Sequence, residues 1–202
     1  MNVILLCGYR RTGKDSLYQK LNNENNYIWH VFQDPNKNII FPTKVEYIRS
    51  AFADALKLET SQIYGITHDE FDKDVKNIIH YKTSELVSKR DIYIEWASVR
   101  RLEDPIYWCK AAFTNLDYID KWIVVTDWRF TNEENYVKEN SKNVITCRLF
   151  RSDVIEPDVQ IVSEHQLDNV LTDFLLLSSE KDFKNVIVKF PQYKSYVKTG
   201  II

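Results

Sequence analysis

Apolar positions along this chain gather into short unbroken runs set between longer mixed stretches. Val3–Cys7 (VILLC), Trp122–Thr126 (WIVVT), Val144–Leu149 (VITCRL) and Phe174–Leu177 (FLLL) show little of the alternation that marks a one-sided strand. Such runs predict strands buried on both faces, the habit of a parallel sheet. After the first run the spacing lengthens: Leu17 and Leu21, four apart, predict a helix over Lys14–Leu21. The stretch VEYIRSAFADALKLETSQIYG predicts a strand to about Phe52 and then a helix ending near Gly65. Residues 69–118 read as mainly helical, with charge mixed among Tyr and Trp. Thr131 with Glu134 three residues on has the form of a capping box and predicts a helix start near Asn132. Ser163 with Gln166 predicts a capped turn of helix, and Lys181–Phe190 a closing helix with an exposed charged face. Asp34-Pro35-Asn36 is a turn signal, and its flanks Tyr27–Gln33 and Ile39–Phe41 predict a small hairpin inserted at 23–43. Strands alternating with helices imply an α/β fold, a central parallel sheet covered on both faces, in a single domain over 1–202.

Composition changes this picture little, but it narrows the partners. A chain of 202 residues can bury a sizeable core. Its net charge of −2 lacks the basic surplus that long duplex DNA or an anionic membrane selects, so neither a nucleic acid polymer nor a membrane is an expected partner. Small anions need only local positive charge and remain open. Cys7, Cys109 and Cys147 form no CxxC pair, which argues against a disulfide framework or zinc site and for small buried side chains in a reducing cytoplasm. No signal peptide is read at the N-terminus. His30, His68, His80 and His165 share no metal-ligand spacing and are expected to be solvated or satisfied.

Chemistry concentrates where glycine does. Two of the four glycines lie in Gly8-Tyr-Arg-Arg-Thr-Gly13-Lys14, which satisfies G-x-x-x-x-G-K between a predicted strand and a predicted helix. Glycines let the backbone curl so that successive N–H groups face an anion. The helix start adds positive potential, and the lysine reaches the β and γ phosphates. The strict motif next places a Mg²⁺-binding hydroxyl; here Asp15 stands there and Ser16 follows. A carboxylate can hold Mg²⁺ directly or through water, and Arg10 and Arg11 supply the cations it needs beside phosphates. The G-x-G-x-x-G dinucleotide fingerprint fits less well, since its middle glycine is missing.

Phosphoryl transfer also needs an acid and cations opposite the loop. Asp127 ends the second apolar run, at the strand edge where open α/β sheets bind ligands, and Arg129 follows two residues on. With GYRRTGKDS and DWRFTNE together, the chain resembles the deoxynucleoside monophosphate kinases of bacteriophages and large DNA viruses, and more distantly phosphomevalonate kinases. The family's loop has the form G-x-[KR]-[KR]-[ST]-G-K-D-[ST], unusual aspartate included. FADALK (Phe52–Lys57) matches its second block, DWRFTNE its D-x-R-x-x-x-E block, and SEHQLDNVLTDFLLLSS resembles its closing segment. SKRDIYIEWASVRRLEDPIYWCKAA looks like its R-x-L-x-Q…D-x-x-W block, more loosely: the expected Gln gives way to Ile94 and Glu95.

The resemblance implies a three-layer P-loop kinase fold, with a helical substrate-binding region at about 54–118 and a lid at about 151–165. It implies transfer of phosphate from ATP, with Mg²⁺, to a deoxynucleoside monophosphate for deoxynucleotide supply, in a host cytoplasm if viral, and a possible homodimer. Gly8, Arg11, Thr12, Gly13, Lys14, Asp15 and Ser16 would hold ATP, and Asp15 and Ser16 the metal. Arg10, Lys57, Arg90, Trp108, Asp127, Arg129 and Glu133 would contact the acceptor, with Arg151 a cationic finger over the transferring group. Lys14, Asp15, Arg129 and Arg151 would then carry catalysis. The acceptor oxygen is already anionic, so catalysis reduces to positioning and charge neutralisation with water excluded. Alternatives stay open at this point: a kinase of another phosphorylated metabolite such as phosphomevalonate, a nucleotide switch or motor, or a kinase-like binding module. A switch lacks support because PNKNI has no N-K-x-D aspartate, and a motor because position 15 is not Ser or Thr.

Overall fold

In a computed structural model of the chain, the residues described are 1–24, 28, 32, 45–67, 75–80, 82–114, 121–155, 162–179 and 182–185. They belong to two compact units, one of 1–50 with 117–202 and one of 51–116. Along the first stretch of chain lie β1 (Asn2–Cys7), α1 (Lys14–Asn23) and β2 (Tyr47–Ser50). The second unit contributes α2 (Phe52–Tyr64), β3 (Lys76–Ile79), β4 (Leu86–Ser88), α3 (Lys89–Glu103) and α4 (Tyr107–Phe113). The chain then returns to the first unit with β5 (Trp122–Val125), α5 (Thr131–Asn140), β6 (Asn143–Phe150), α6 (Val162–His165), β7 (Phe174–Ser178) and β8 (Phe183–Asn185).

The first unit is α/β, built on a sheet ordered β2-β5-β1-β6-β7-β8 among the described residues. All pairings are parallel except β7 with β8. The unbroken apolar runs are the reason β1, β5 and β6 lie at its centre. Ile4 and Leu6 pack with Leu17 and Leu21 of α1, with Cys147 and Leu149 of β6 and with Leu176 of β7 in one core. Val3 and Leu5, whose side chains leave the opposite face, are equally buried. Each such leucine contributes about 2 kcal/mol by leaving water. Register pairs Leu5 with both Val125 and Thr146, and Ser50 with Val125, so the parallel strands end along one edge. From central β1 the chain crosses toward β2, while from adjacent β6 it crosses toward β7. Such a reversal is where open α/β sheets leave a crevice.

Local expectations fail where long-range contacts outweigh them. The closing helix predicted over Lys181–Phe190 begins instead as strand β8. Ser179 N–H donates to the Asp182 carbonyl at 2.9 Å, closing a turn that brings Phe183 into the core; residues after Asn185 lie outside the described set. Within the predicted insertion at 23–43 only Asn23 and Glu24, which end α1, and Ile28 and Phe32 are described. Phe32 N–H donates to the Ile28 carbonyl at 2.9 Å and both are core residues; the rest of the predicted hairpin lies outside the described residues. α5 starts at Thr131, and the glutamate that caps it is Glu133, not Glu134. Glu134 pairs with Lys138 one turn on, at 2.5 Å. Ser163 sits inside α6 and not ahead of it.

Besides its helices the second unit has one antiparallel hairpin, β3 with β4, in the stretch read as mainly helical. Its end is fastened by His80, whose Nε2 lies 2.6 Å from Glu95 Oε2 while Nδ1 accepts from the Thr83 amide at 3.2 Å. His80 and Glu95 are thus partners within this unit, and His30 and His68 lie outside the described residues. Ser88 and Asp91 form a reciprocal cap at the start of α3, with Ser88 N–H donating to Asp91 Oδ2 at 2.9 Å and Asp91 N–H to Ser88 Oγ at 3.1 Å. Gly65, in the left-handed region at φ 65°, ends α2. Among the described residues no helix is long and apolar enough to cross a membrane.

Candidate functional site

The glycine loop leaves β1 at the edge where the parallel strands end, next to the end of β6. A Cβ at Gly8 would collide with the Leu149 carbonyl oxygen, so only glycine lets the loop start this close to β6. Gly8, Arg11 and Gly13 all have positive φ, at 131°, 70° and 90°. Repeated left-handed residues bend a chain into a concave turn of main-chain groups. Arg11 adopts this conformation without being glycine, a modest strain of the kind found at binding loops. Thr12, almost fully buried, closes the turn through its Oγ1, which donates to the Tyr9 carbonyl at 2.9 Å.

Lys14 is held over this turn. Its Nζ donates to the Gly8 carbonyl at 2.7 Å and to the Tyr9 carbonyl at 2.8 Å. The loop's own oxygens therefore station the ammonium at the mouth of the turn. Arg10 and Arg11 are exposed beside it, as are Asp15 and Ser16 in the first turn of α1. Asp15 Oδ1 accepts from Arg49 Nε of β2 at 2.8 Å. No sequence signal singled out Arg49, a basic residue near a strand end that meets α1 only in three dimensions.

Asp127, Arg129 and Glu133 follow β5 at the same edge. The β1–β5 register places Asp127 two residues beyond Val125, level with the end of β1. The connection is folded on itself. Trp128 is core and its Nε1 donates to the Phe130 carbonyl at 2.9 Å. Glu133 is buried, its Oε2 accepting the Arg129 and Phe130 amides at 2.9 and 3.1 Å. Its role here is to cap α5 and fix the backbone that presents Asp127 and Arg129.

Arg151 follows β6 and clasps Asp153 through two hydrogen bonds, 2.6 and 2.8 Å. That clasp holds the Asp153 carboxyl below the ordinary carboxylate range. Arg151 also lines a cavity of about 280 Å³ that begins at Gly13 and runs along α1 past Ser16, Gln19 and Asn23, with Ser178 and Asp182 opposite. Among the described residues, Ser178 Oγ is buried in this wall without a hydrogen-bond partner. The expected lid at 151–165 is described only in part, 156–161 lying outside.

Lys57, Arg90 and Trp108 belong to the second unit. Lys57 and Arg90 are half-buried on α2 and α3. Trp108, expected to face a nucleotide, is core: 2% exposed, with Nε1 donating to the Ala97 carbonyl at 3.3 Å. Arg100 of α3 is bound to Glu59 within the same unit.

The cysteines are all buried and free. Burial pushes the Cys7 and Cys147 thiols up, against the charge of Arg148 and, for Cys7, of Lys14. Neither is a nucleophile at neutral pH. Among the described residues no cluster of three or more His, Cys, Asp or Glu is disposed around a metal ion. Asp15 and Ser16 offer one carboxylate and one hydroxyl, both exposed, in the first turn of α1.

Compared with protein-family models and with curated proteins, the chain matches none. Fold and site define an α/β protein with a basic, glycine-shaped loop at the carboxyl edge of a mostly parallel sheet.

Proposed function

We propose that the chain is an ATP-dependent kinase of P-loop type acting on deoxynucleoside monophosphates. The observation that carries this reading is the station of Lys14: an ammonium bonded to the Gly8 and Tyr9 carbonyls over a turn of left-handed residues at a helix start. An anion entering there meets the Lys14 charge, the α1 N-terminus and the arginines at once. The cavity running from Gly13 along α1 supports the same reading, because it would take the nucleoside end of a donor whose phosphates lie in the loop. Asp15 and Ser16 would hold Mg²⁺, which when bound supplies charge neutralisation between donor and acceptor phosphates. Asp127 and Arg129, at the same edge, would then contact the acceptor, and Arg151 would reach over the transferring group. Deoxynucleoside monophosphates are preferred as acceptors on the resemblance of GYRRTGKDS, FADALK and DWRFTNE to the viral kinases. On the same resemblance, the region at about 54–118 would bind the acceptor and the segment at about 151–165 would be the lid.

The test is a transfer assay with Mg·ATP and dTMP, dGMP, dCMP and phosphomevalonate in parallel. Phosphorylation of one or more deoxynucleotides is expected. K14A should lose at least about a hundredfold in kcat while its circular dichroism is unchanged. Transfer to phosphomevalonate alone would replace the acceptor, and unaltered K14A activity would remove the loop from the chemistry.

A further inference from the structure

The loop is tied to a part of the chain that the kinase reading leaves without a task. Tyr9, its first residue after Gly8, donates its hydroxyl to Asp168 Oδ2 at 3.2 Å. The same carboxylate oxygen lies 2.8 Å from His165 Nδ1. The Tyr9 and His165 rings meet edge to face, centroids 5.6 Å apart. Asp168 is therefore held by two groups, one of which belongs to the loop.

The turn that carries Asp168 is itself anchored. Asp168 N–H donates to the His165 carbonyl at 3.1 Å, and Val170 N–H to the Leu167 carbonyl at 2.9 Å. Arg148 on β6, 7% exposed, donates Nη2 to the Leu167 carbonyl and, at 3.2 Å, to the Val170 carbonyl. A buried guanidinium spent on backbone carbonyls makes the turn part of the sheet's frame. The frame reaches Tyr9 through Asp168.

We propose that Asp168 is a positioning residue: through the Tyr9 hydroxyl it holds the start of the glycine loop in its curled form before any ligand arrives. Tyr9 supplies one of the two carbonyls that station Lys14 and the carbonyl that Thr12 bonds, so a shift of Tyr9 moves both. The physical effect is preorganisation, since a loop already curled loses less entropy on binding an anion. The nucleotide half of the proposal rests on the kinase reading; the tether does not.

The experiment uses the full chain as wild type, Y9F, D168L, D168N and the Y9F/D168L double variant. Amide hydrogen exchange of Thr12, whose N–H bonds the Tyr9 carbonyl, is read first without nucleotide. Y9F and D168L should each speed it roughly tenfold, the double variant no more than the larger single one, and D168N less, because Asn keeps an acceptor for the hydroxyl. Mg·ATP titration of the same proteins should show a dissociation constant raised about tenfold in Y9F and D168L, with kcat changed less. Wild-type exchange rates in Y9F, or single effects that simply add in the double variant, overturn the tether; Y9F keeps the test decisive should D168L not fold. A wild-type protein that takes up no Mg·ATP overturns the kinase reading and the nucleotide half of this proposal, and the exchange data then support or overturn the tether alone.

Discussion

Arg49 and Asp15 form an ion pair across the first unit, Nε to Oδ1 at 2.8 Å, joining β2 to the first turn of α1. The pair sits at the point where the kinase reading puts phosphates and Mg²⁺, so an isolated carboxylate there would repel the ligand. Arg49 supplies the compensating charge. The Asp15 side chain is 63% exposed and that of Arg49 36%, so solvent screens the pair and it is worth under about 1 kcal/mol in stability. R49A should therefore melt within a few degrees of wild type. Its Mg·ATP affinity should fall about three- to tenfold, more at low salt than at high.

Glycine matters unequally along the chain. G8A needs a Cβ where the Leu149 carbonyl lies, at a φ of 131°, and should cost about 2 kcal/mol or more. Gly65 has φ 65° and open space around its missing Cβ, so G65A should cost about 1 kcal/mol and G65N less. Urea denaturation of the three variants checks the order.

The second unit has its own keystone. Glu59 Oε1 accepts from Arg100 Nε at 2.8 Å and Trp96 Nε1 at 3.1 Å, and its Oε2 from the Tyr107 hydroxyl at 2.8 Å. One carboxylate thus joins α2, α3 and α4, while Arg100 lies over the Trp96 and Tyr107 rings at 5.0 and 4.9 Å. Hydrogen bonding to Glu59 and Glu103 raises the Arg100 pKa further, and burial followed by the Glu59 bond raises that of Tyr107. E59A strands donors on three residues and should lower stability by about 2–3 kcal/mol. E59Q should recover part of it. Calorimetry of both variants distinguishes this from a surface pair, which would show no loss.

Acid should weaken the start of α3. The Ser88 backbone and side-chain hydrogen bonds hold the Asp91 carboxyl below its ordinary 3.8. A pKa lowered by folding means stability that is complete above 3.8 and is lost as pH falls through the lower folded value. Wild type should exceed D91A by about 1 kcal/mol at neutral pH. That gap should narrow as pH drops below about 4. A gap that stayed constant from neutral to acid would show that the charge of Asp91 does not contribute.

Tertiary contact decided several elements against their local pattern. Phe183 is drawn into the core from a segment with helical charge spacing, because strand β7 offers an unpaired edge and the Ser179–Asp182 turn reaches it. Glu133 and Glu134 look equivalent in sequence. Only folding shows that the first turns back to amides and the second outward to Lys138.

What could be read from the chain alone was whatever neighbours in sequence enforce. Unbroken runs such as VILLC and WIVVT mean two buried faces, hence central parallel strands, and the spacing of Gly8, Gly13 and Lys14 already places a basic turn between a strand and a helix. Partners far apart in sequence left no such trace. Arg49 finds Asp15 across 34 residues and Tyr9 finds Asp168 across 159, and no local period encodes either meeting. Those pairings arise because parallel strands bring every carboxyl end to one edge, where the register of the sheet chooses which side chains meet.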